Sequence, residues 1–246
     1  MSDRDPGPAG ATAERTRPDR WFSVRERAVY LPGADALVLA DLHLGRSRTA
    51  NVELPLPERE AIQSRLAELV ETFEPGTVVL AGDVCHSFST IPEGVAGTFE
   101  GIRDRAEAAG AAFVVVRGNH DVVLDSLADP VSETRLRDGT VVHHGHEQPD
   151  ADAERYVIGH DHPAIEIEGV RYPCLLWGEE TYRGGDVLVL PAFTELAAGR
   201  VINGMRGRDM QSPLLSDLDG VRPVVREDEG GETLVFPPLG AFREFL

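Results

Sequence analysis

The sequence predicts a single α/β domain with sheet inside and helices outside, and three observations carry that prediction. Three apolar runs, Ala36–Ala40, Thr77–Ala81 and Ala112–Val116, are continuous enough to be strands buried on both faces. Two segments with helical spacing lie between them, and the later apolar runs follow one another without long helices. Each of the three runs also stops at a cluster of polar residues.

In chain order, residues 1–20 are rich in Pro, Gly and alternating charge and read as a disordered arm, leaving residues 21–246 as one domain. After the first strand, Pro57 opens a helix whose apolar positions Ile62, Leu66, Leu69 and Val70 share one face, and Gly76 closes it. A second helix is expected from Glu93 to Ala109, stopping at Gly110. Thr140–Val142, Arg155–Ile158 and Asp186–Leu190 read as short strands, and Ala164–Trp177 as a hairpin turning at Glu168-Gly169. The tail from Ser212 carries an acidic, Gly-rich stretch, Glu227–Glu232, and then a late strand within Thr233–Pro238.

Composition narrows the function classes. With 246 residues and 41% hydrophobic content the chain is neither disordered nor collagen-like. Two cysteines, Cys85 and Cys174, cannot form a disulfide framework, so a reducing, cytoplasmic setting is expected. No run reaches the ~18 apolar residues of a membrane span, and no leader is expected. The net charge is −18, and all 24 cations are Arg, with no Lys. That charge argues against a protein that coats DNA. It reads instead as an acidic surface adapted to molar salt, where net charge keeps a protein soluble.

The polar residues fall where ligands bind in open α/β sheets, beyond the carboxyl ends of strands. They are Asp41-Leu42-His43, Gly82-Asp83, Gly118-Asn119-His120-Asp121, His143-His144-Gly145-His146 and Gly159-His160-Asp161-His162. All eight histidines lie in or beside these clusters, between positions 43 and 162. The carboxylate, amide and imidazole donors, without thiolate, suit Mn²⁺, Fe or Zn in a two-metal site better than a structural zinc. Two ions about 3.5–4 Å apart need a bridging anion, for which Asp83 is the natural candidate. Any one of these motifs alone is a common turn; the set of five in this order is specific.

The series resembles the calcineurin-like metallophosphoesterases over residues 36–163. The resemblance implies a four-layer αββα sandwich with a dinuclear site. It would place Asp41, His43, Asp83 and His162 on the first metal, and Asp83, Asn119, His144 and His160 on the second. His120 would contact phosphate and protonate the leaving oxygen, with Asp121 orienting it, while a metal-bridged hydroxide attacks in line. Manganese is the expected metal, with Fe, Zn, Mg and Ni as the other candidates. The extended motif Ala40-Asp41-Leu42-His43-Leu44-Gly45, with His144-Gly145-His146, Gly159-His160-x-His162-Pro163 and Leu190-Pro191-Ala192-Phe193, is similar to a narrower group. That group contains archaeal Icc-like proteins and the ligase-associated DNA damage response nucleases of the PdeM type. It implies a DNA or nucleotide phosphodiester substrate and an association with DNA-repair proteins. Arg46 stands where Lys is expected in that group.

Arg46, His86, Arg117 and His146 are candidate substrate contacts, each weighed against an ion-paired or structural role. His143 is expected to point away from His144, and Cys85 to be a small buried apolar side chain. The competing functions are a phosphomonoesterase or protein phosphatase on the same site, and a metal-binding scaffold without catalysis; every residue needed for catalysis is present. The salt-adapted reading predicts a melting temperature that rises between low salt and molar KCl, and an unchanged thermal transition would overturn it.

Overall fold

The computed structural model of the chain describes residues 21–46, 56–86, 91–226 and 231–243. The expected arm and most of the acidic tail stretch lie outside the described residues. Two sheets face one another. The first has the order β1-β2-β3-β4-β5, made of Ser23–Arg25, Ala28–Leu31, Ala36–Leu39, Thr77–Ala81 and Ala112–Val116. The three apolar runs are β3, β4 and β5, and they pair in parallel.

The second sheet gathers the later short runs. It contains β6 (Glu133–Arg135), β7 (Val141–His143), β8 (Arg155–Ile158), β11 (Leu175–Tyr182), β12 (Gly185–Val189), β14 (Arg222–Arg226) and β15 (Thr233–Val235). Their order is β15-β14-β11-β12-β8-β7-β6, with β12, β8 and β7 parallel at the centre. A small third sheet joins β9 (Pro163–Ile167), β10 (Val170–Pro173) and β13 (Arg200–Val201).

Strand alternation explains the layers. Val38, Ala40, Val79, Ala81 and Val116 of the first sheet meet Val142, Val157, Leu188 and Leu190 of the second in one dry cluster. The opposite residues, Leu37, Leu39, Val78 and Leu80, pack against Ile62, Leu66 and Leu69 of α1 (Leu56–Phe73) and Phe99 and Ile102 of α2 (Val95–Ala108). On the far side, Tyr156, Ile158, Val187 and Val189 are covered by Ile165 of β9 and by Ile202, Leu214, Leu215 and Leu218. That outer layer is therefore the small sheet, irregular chain and the short α3 (Leu239–Phe242) rather than long helices. Among the described residues no helix is long and apolar enough to cross a membrane.

Three local expectations change. Helix α1 ends on Glu74, at φ +44°, whose N–H bonds the Val70 carbonyl; Gly76 matters because a Cβ there would come within 2.5 Å of Asp35. The hairpin turns at Glu168-Gly169 but its second arm stops at Pro173, because Leu175–Tyr182 crosses into the large sheet. Strands β14 and β11 pair antiparallel inside the large sheet, a pairing that short runs in a Pro-containing tail did not announce.

Leu69, fully buried between α1 and the first sheet, tests this layering. Leu69→Ala should cost about 2–5 kcal/mol in a urea melt while leaving the far-UV spectrum of the folded protein unchanged.

Candidate metal centre

Six parallel strands point their carboxyl ends at one place. Past β3 and β4 the two backbones stay paired: Asp41 N–H donates to the Gly82 carbonyl, His43 to Asp83 and Leu44 to Val84, at 3.1, 2.9 and 2.8 Å. This brings the side chains of Asp41 and Asp83 to adjacent positions, both essentially inaccessible to solvent. Across the gap, Gly159 N–H donates to the His144 carbonyl at 2.9 Å, joining the loops after β7 and β8.

Asp41 is held by a loop of the opposite sheet and Asp83 by the neighbouring loop of its own sheet. Asp41 Oδ2 accepts the His160 N–H at 3.0 Å, and Asp83 Oδ1 accepts the His120 N–H at 2.9 Å. The loops approach so closely that side chains are excluded at two glycines. A Cβ at Gly118 would lie 2.1 Å from Asp83 N, and one at Gly159 would lie 2.6 Å from Asp41 Oδ2. Asp41, His43, Asp83, His160 and His162 all have left-handed backbones, with φ from +45° to +72°. Such conformations are costly away from glycine and concentrate at functional sites.

The eight histidines fall into two groups around these carboxylates. His43 contacts His86, His120 and His162, with ring centroids 5.6, 5.6 and 5.0 Å away. His144 contacts His160 at 5.0 Å and His146 at 5.4 Å, and His146 stacks on His143 at 5.7 Å. In the first group, Nε2 of His43 and of His162 face each other at 3.2 Å, and His162 Nε2 is 3.1 Å from Asp41 Oδ1. In the second, His144 Nε2 is 3.1 Å from Asn119 Oδ1 and 3.4 Å from Asp83 Oδ1. Two donor sets are close enough to share an ion: Asp41, His43 and His162, and Asp41, Asp83 and His144.

The donor chemistry fits divalent metals. Asp41 Oδ1 is buried with only His162 Nε2 within reach, at 3.1 Å and without good hydrogen-bond geometry, an oxygen that a cation would satisfy. Facing imidazole nitrogens need a shared proton or a metal between them. The protonation balance has the same shape. Burial works against charge on His144, yet the Asp83 hydrogen bond and the Asp41 charge raise it to about 9. Burial likewise opposes charge on His162, and Asp41 more than offsets it. Burial lowers His43 and His160 to about 4, with His162 and His144 respectively adding repulsion. Against its own burial, Asp83 is held well below the usual carboxylate range by His144. Each group thus pairs one imidazole whose protonation a carboxylate favours with one whose protonation burial disfavours.

The other expected residues surround this core. Asp121, fully buried, accepts the Cys85 N–H on Oδ1 and the Gly118 N–H on Oδ2, both at 2.9 Å. It therefore acts on His120 through the backbone of the Gly118–Asp121 loop. His120 Nε2 lies 3.8 Å from Asp83 Oδ2, and His86 stacks parallel to the His120 ring at 6.3 Å. His146 stands on the rim beside His144, with Nε2 3.6 Å from Glu147. The Arg117 guanidinium is paired with Asp125. His143, buried, accepts the Gly145 N–H on Nδ1. Burial pushes the Cys85 thiol up to about 12, so it is no thiolate ligand. Arg46 N–H donates to the His43 carbonyl at 3.1 Å, closing the turn after that histidine.

Two supports escaped sequence reasoning. Asp161, between two histidines, is 1% exposed and binds Arg200, Gln211 and Ser212. The Pro-Ala-Phe element backs Asp41: Phe193 N–H donates to the Ala40 carbonyl at 2.9 Å, and Arg65 of α1 lies over the Phe193 ring while donating to its carbonyl. The motif signalled this element but not its role, because Arg65 is 128 residues away.

The glycine contact is directly testable. Gly118→Ala should destabilise the fold by at least the ~1–3 kcal/mol of overpacking, because backbone at Asp83 must move. Gly220→Ala, with open space at its Cβ, should be near neutral in the same melt.

The sequence profile of the calcineurin-like phosphoesterases matches residues 35–190. No curated protein matches the chain. Among solved structures, a nuclease from Pseudomonas putida, MPE, superposes with a TM-score of 0.59 at 24% identity, covering 86% of this chain and 92% of its own. YfcE, a phosphoesterase from E. coli, reaches a TM-score of 0.40 at 18% identity over 78% of this chain and 88% of its own. The profile spans more than half of the chain and contains Asp41, His43, Asp83, Asn119, His120, His144, His160 and His162. This chain belongs to the calcineurin-like phosphoesterase family.

Proposed function

We propose that the chain is a dinuclear metal-dependent phosphodiesterase acting on nucleic acid or nucleotides, with residues 21–246 as its catalytic domain. The observation that carries this reading is the convergence of two imidazole groups on two buried carboxylates at one sheet edge. Asp41, His43, Asp83 and His162 would hold one divalent ion, and Asp83, Asn119, His144 and His160 the other, manganese being the first choice for both. Two such ions supply Lewis-acid polarisation of the phosphoryl group and a water acidic enough to attack near neutral pH.

The chain's own residues do the rest. His120 is assigned the proton donor to the leaving oxygen, since its ring stands at the mouth of the first histidine group, partly exposed and beside Asp83. Asp121 keeps that ring in place by tying its loop to Cys85. His86, parallel to His120, is assigned a substrate-facing position, and His146 the rim on the opposite side. The like-folded Pseudomonas putida protein is a nuclease, and the substrate direction taken here is the same. An Icc-like or PdeM-type subgroup, a cytoplasmic setting and contact with DNA-repair proteins complete the proposal.

A Mn²⁺-supplemented panel of a bis-aryl phosphate, a mono-aryl phosphate and single-stranded DNA tests it. The diester should be cleaved faster than the monoester, and the reverse order would make the protein a phosphomonoesterase. Asp83→Asn should abolish turnover and lower metal content. His120→Asn should lose about 10²–10⁴-fold on poor leaving groups with metal content retained; loss of metal would make His120 a ligand.

A further inference from the structure

The turn Gly159-His160-Asp161-His162 is held from a later part of the chain. Asp161 is 1% exposed, and its N–H donates to the Gly159 carbonyl at 2.9 Å. Its Oδ1 accepts Arg200 Nη1 at 2.8 Å and the Gln211 N–H at 2.9 Å, and its Oδ2 accepts the Ser212 N–H at 3.1 Å. Arg200 has a second hold on the same turn. Its own N–H donates to the His162 carbonyl at 2.8 Å, where β13 joins β9. The fit there is tight, since a Cβ at Gly199 would lie 2.9 Å from the His162 carbonyl oxygen. The guanidinium is fixed on its far side as well, with Nη2 donating to the Asp209 carbonyl at 2.6 Å.

This differs from an ordinary surface ion pair in two respects. A carboxylate buried so deeply is costly unless it is paired and hydrogen-bonded, and Asp161 spends both oxygens on segment 200–212. The residues on either side, His160 and His162, have φ of +72° and +45°, a costly backbone that persists only when its surroundings impose it. Their rings also go to different donor groups. His160 meets His144, and His162 meets His43, each with ring centroids 5.0 Å apart. One turn therefore sets where an imidazole stands in each group. Arg200 grips that turn by its side chain at Asp161 and by its backbone at His162.

We propose that Arg200, acting through Asp161, is a positioning residue for both metal sites. It fixes the turn so that the His160 and His162 rings are already placed when divalent ions arrive, and its contribution is read as metal affinity. This rests on the dinuclear reading above, which the parent protein's own metal titration tests separately. Groups that orient a metal ligand by hydrogen-bonding it contribute about 10–100-fold in affinity. Arg200 acts one residue removed from each histidine ring, so the lower end of that range, about tenfold, is expected.

The test is Mn²⁺ binding to the intact, metal-stripped chain by titration calorimetry, with the visible absorption of bound Co²⁺ as a second readout. Arg200→Ala leaves the Gln211 and Ser212 N–H groups on Asp161 and the backbone bond to His162, so the fold is kept. Its Mn²⁺ dissociation constants should rise about tenfold, and its Co²⁺ spectrum should change. Arg200→Lys, which returns a cation to Asp161, should recover most of the affinity. Arg183→Ala, which breaks the exposed pair with Asp152 at the β11–β12 turn, should bind Mn²⁺ as the parent does. A lower melting temperature in Arg200→Ala with parental Mn²⁺ affinity would make Arg200 a structural brace and overturn the proposal. An equal loss of affinity in Arg183→Ala would overturn it too. Should Arg200→Ala fail to fold, Arg200→Gln replaces it, and affinity equal to that of Arg200→Lys overturns the proposal. A parent that binds neither ion would sink the dinuclear reading and this inference with it, whereas parental affinity in the Arg200 variants leaves that reading standing.

Discussion

The structure depends on two buried carboxylates being held side by side. Asp41 and Asp83 occupy adjacent parallel strand ends, and like charges at that separation inside a protein repel by several kcal/mol unless compensated. The surrounding architecture supplies the compensation. The backbone N–H of His120 reaches Asp83 from the neighbouring loop and that of His160 reaches Asp41 from the opposite sheet, and imidazoles of His144 and His162 face the two carboxylates. Parallel pairing matters here because it places every strand's carboxyl end on the same side. An antiparallel β3–β4 pair would have sent one aspartate to the far edge of the sheet.

Close approach is achieved at the expense of backbone comfort. Five of the proposed ligand residues adopt left-handed conformations without being glycine. Each such residue costs about 1–3 kcal/mol. Five together rival the ~5–15 kcal/mol by which a whole domain is stable. The strain persists because the loops are over-determined from behind. Asp121 ties the third loop to the second, Asp161 ties the fifth to segment 200–212, and Arg65 and Phe193 press on the first. These three supports are themselves buried or half-buried, so they draw on the dry cores that flank the two sheets.

What the sequence made legible follows from how local the signal was. Strands β3 and β4 were readable because a strand buried on both faces must be continuously apolar; β5, with Ala112 exposed and Phe113 and Val114 half-buried, was readable from its apolar run alone, and the polar ends were readable because burying such groups demands a reason. Strands β1, β2 and β6 were not, since three or four residues with mixed burial carry no period. Strand β14 hides in a segment with a proline and two arginines. The ligand candidates were legible as motifs, whereas Asp161 and Arg65 were not, because their partners are 39 to 128 residues away and no spacing rule connects them. Arg117, beside Gly118, is paired with an aspartate eight residues later, a partner that no local motif announces.

The charge of the chain and the charge of its site now separate. The charges of Asp41 and Asp83 favour the protonated form of His144 and His162, whereas burial disfavours it on His43 and His160. Divalent ions would compete for the same imidazole nitrogens and release those protons, so the site is already arranged as four nitrogens and two carboxylates around positive charge. Because the folded-state pKa values of His144 and His162 are raised, their protonated form contributes stability that is present below the ordinary histidine range and fades as the pH rises through the folded values, the one for His144 being about 9. Divalent ions, where bound, would hold these imidazoles more tightly over that same rise. The net charge of −18 belongs to the whole chain and not to this cluster, so overall acidity and a histidine-rich candidate metal centre coexist in one chain.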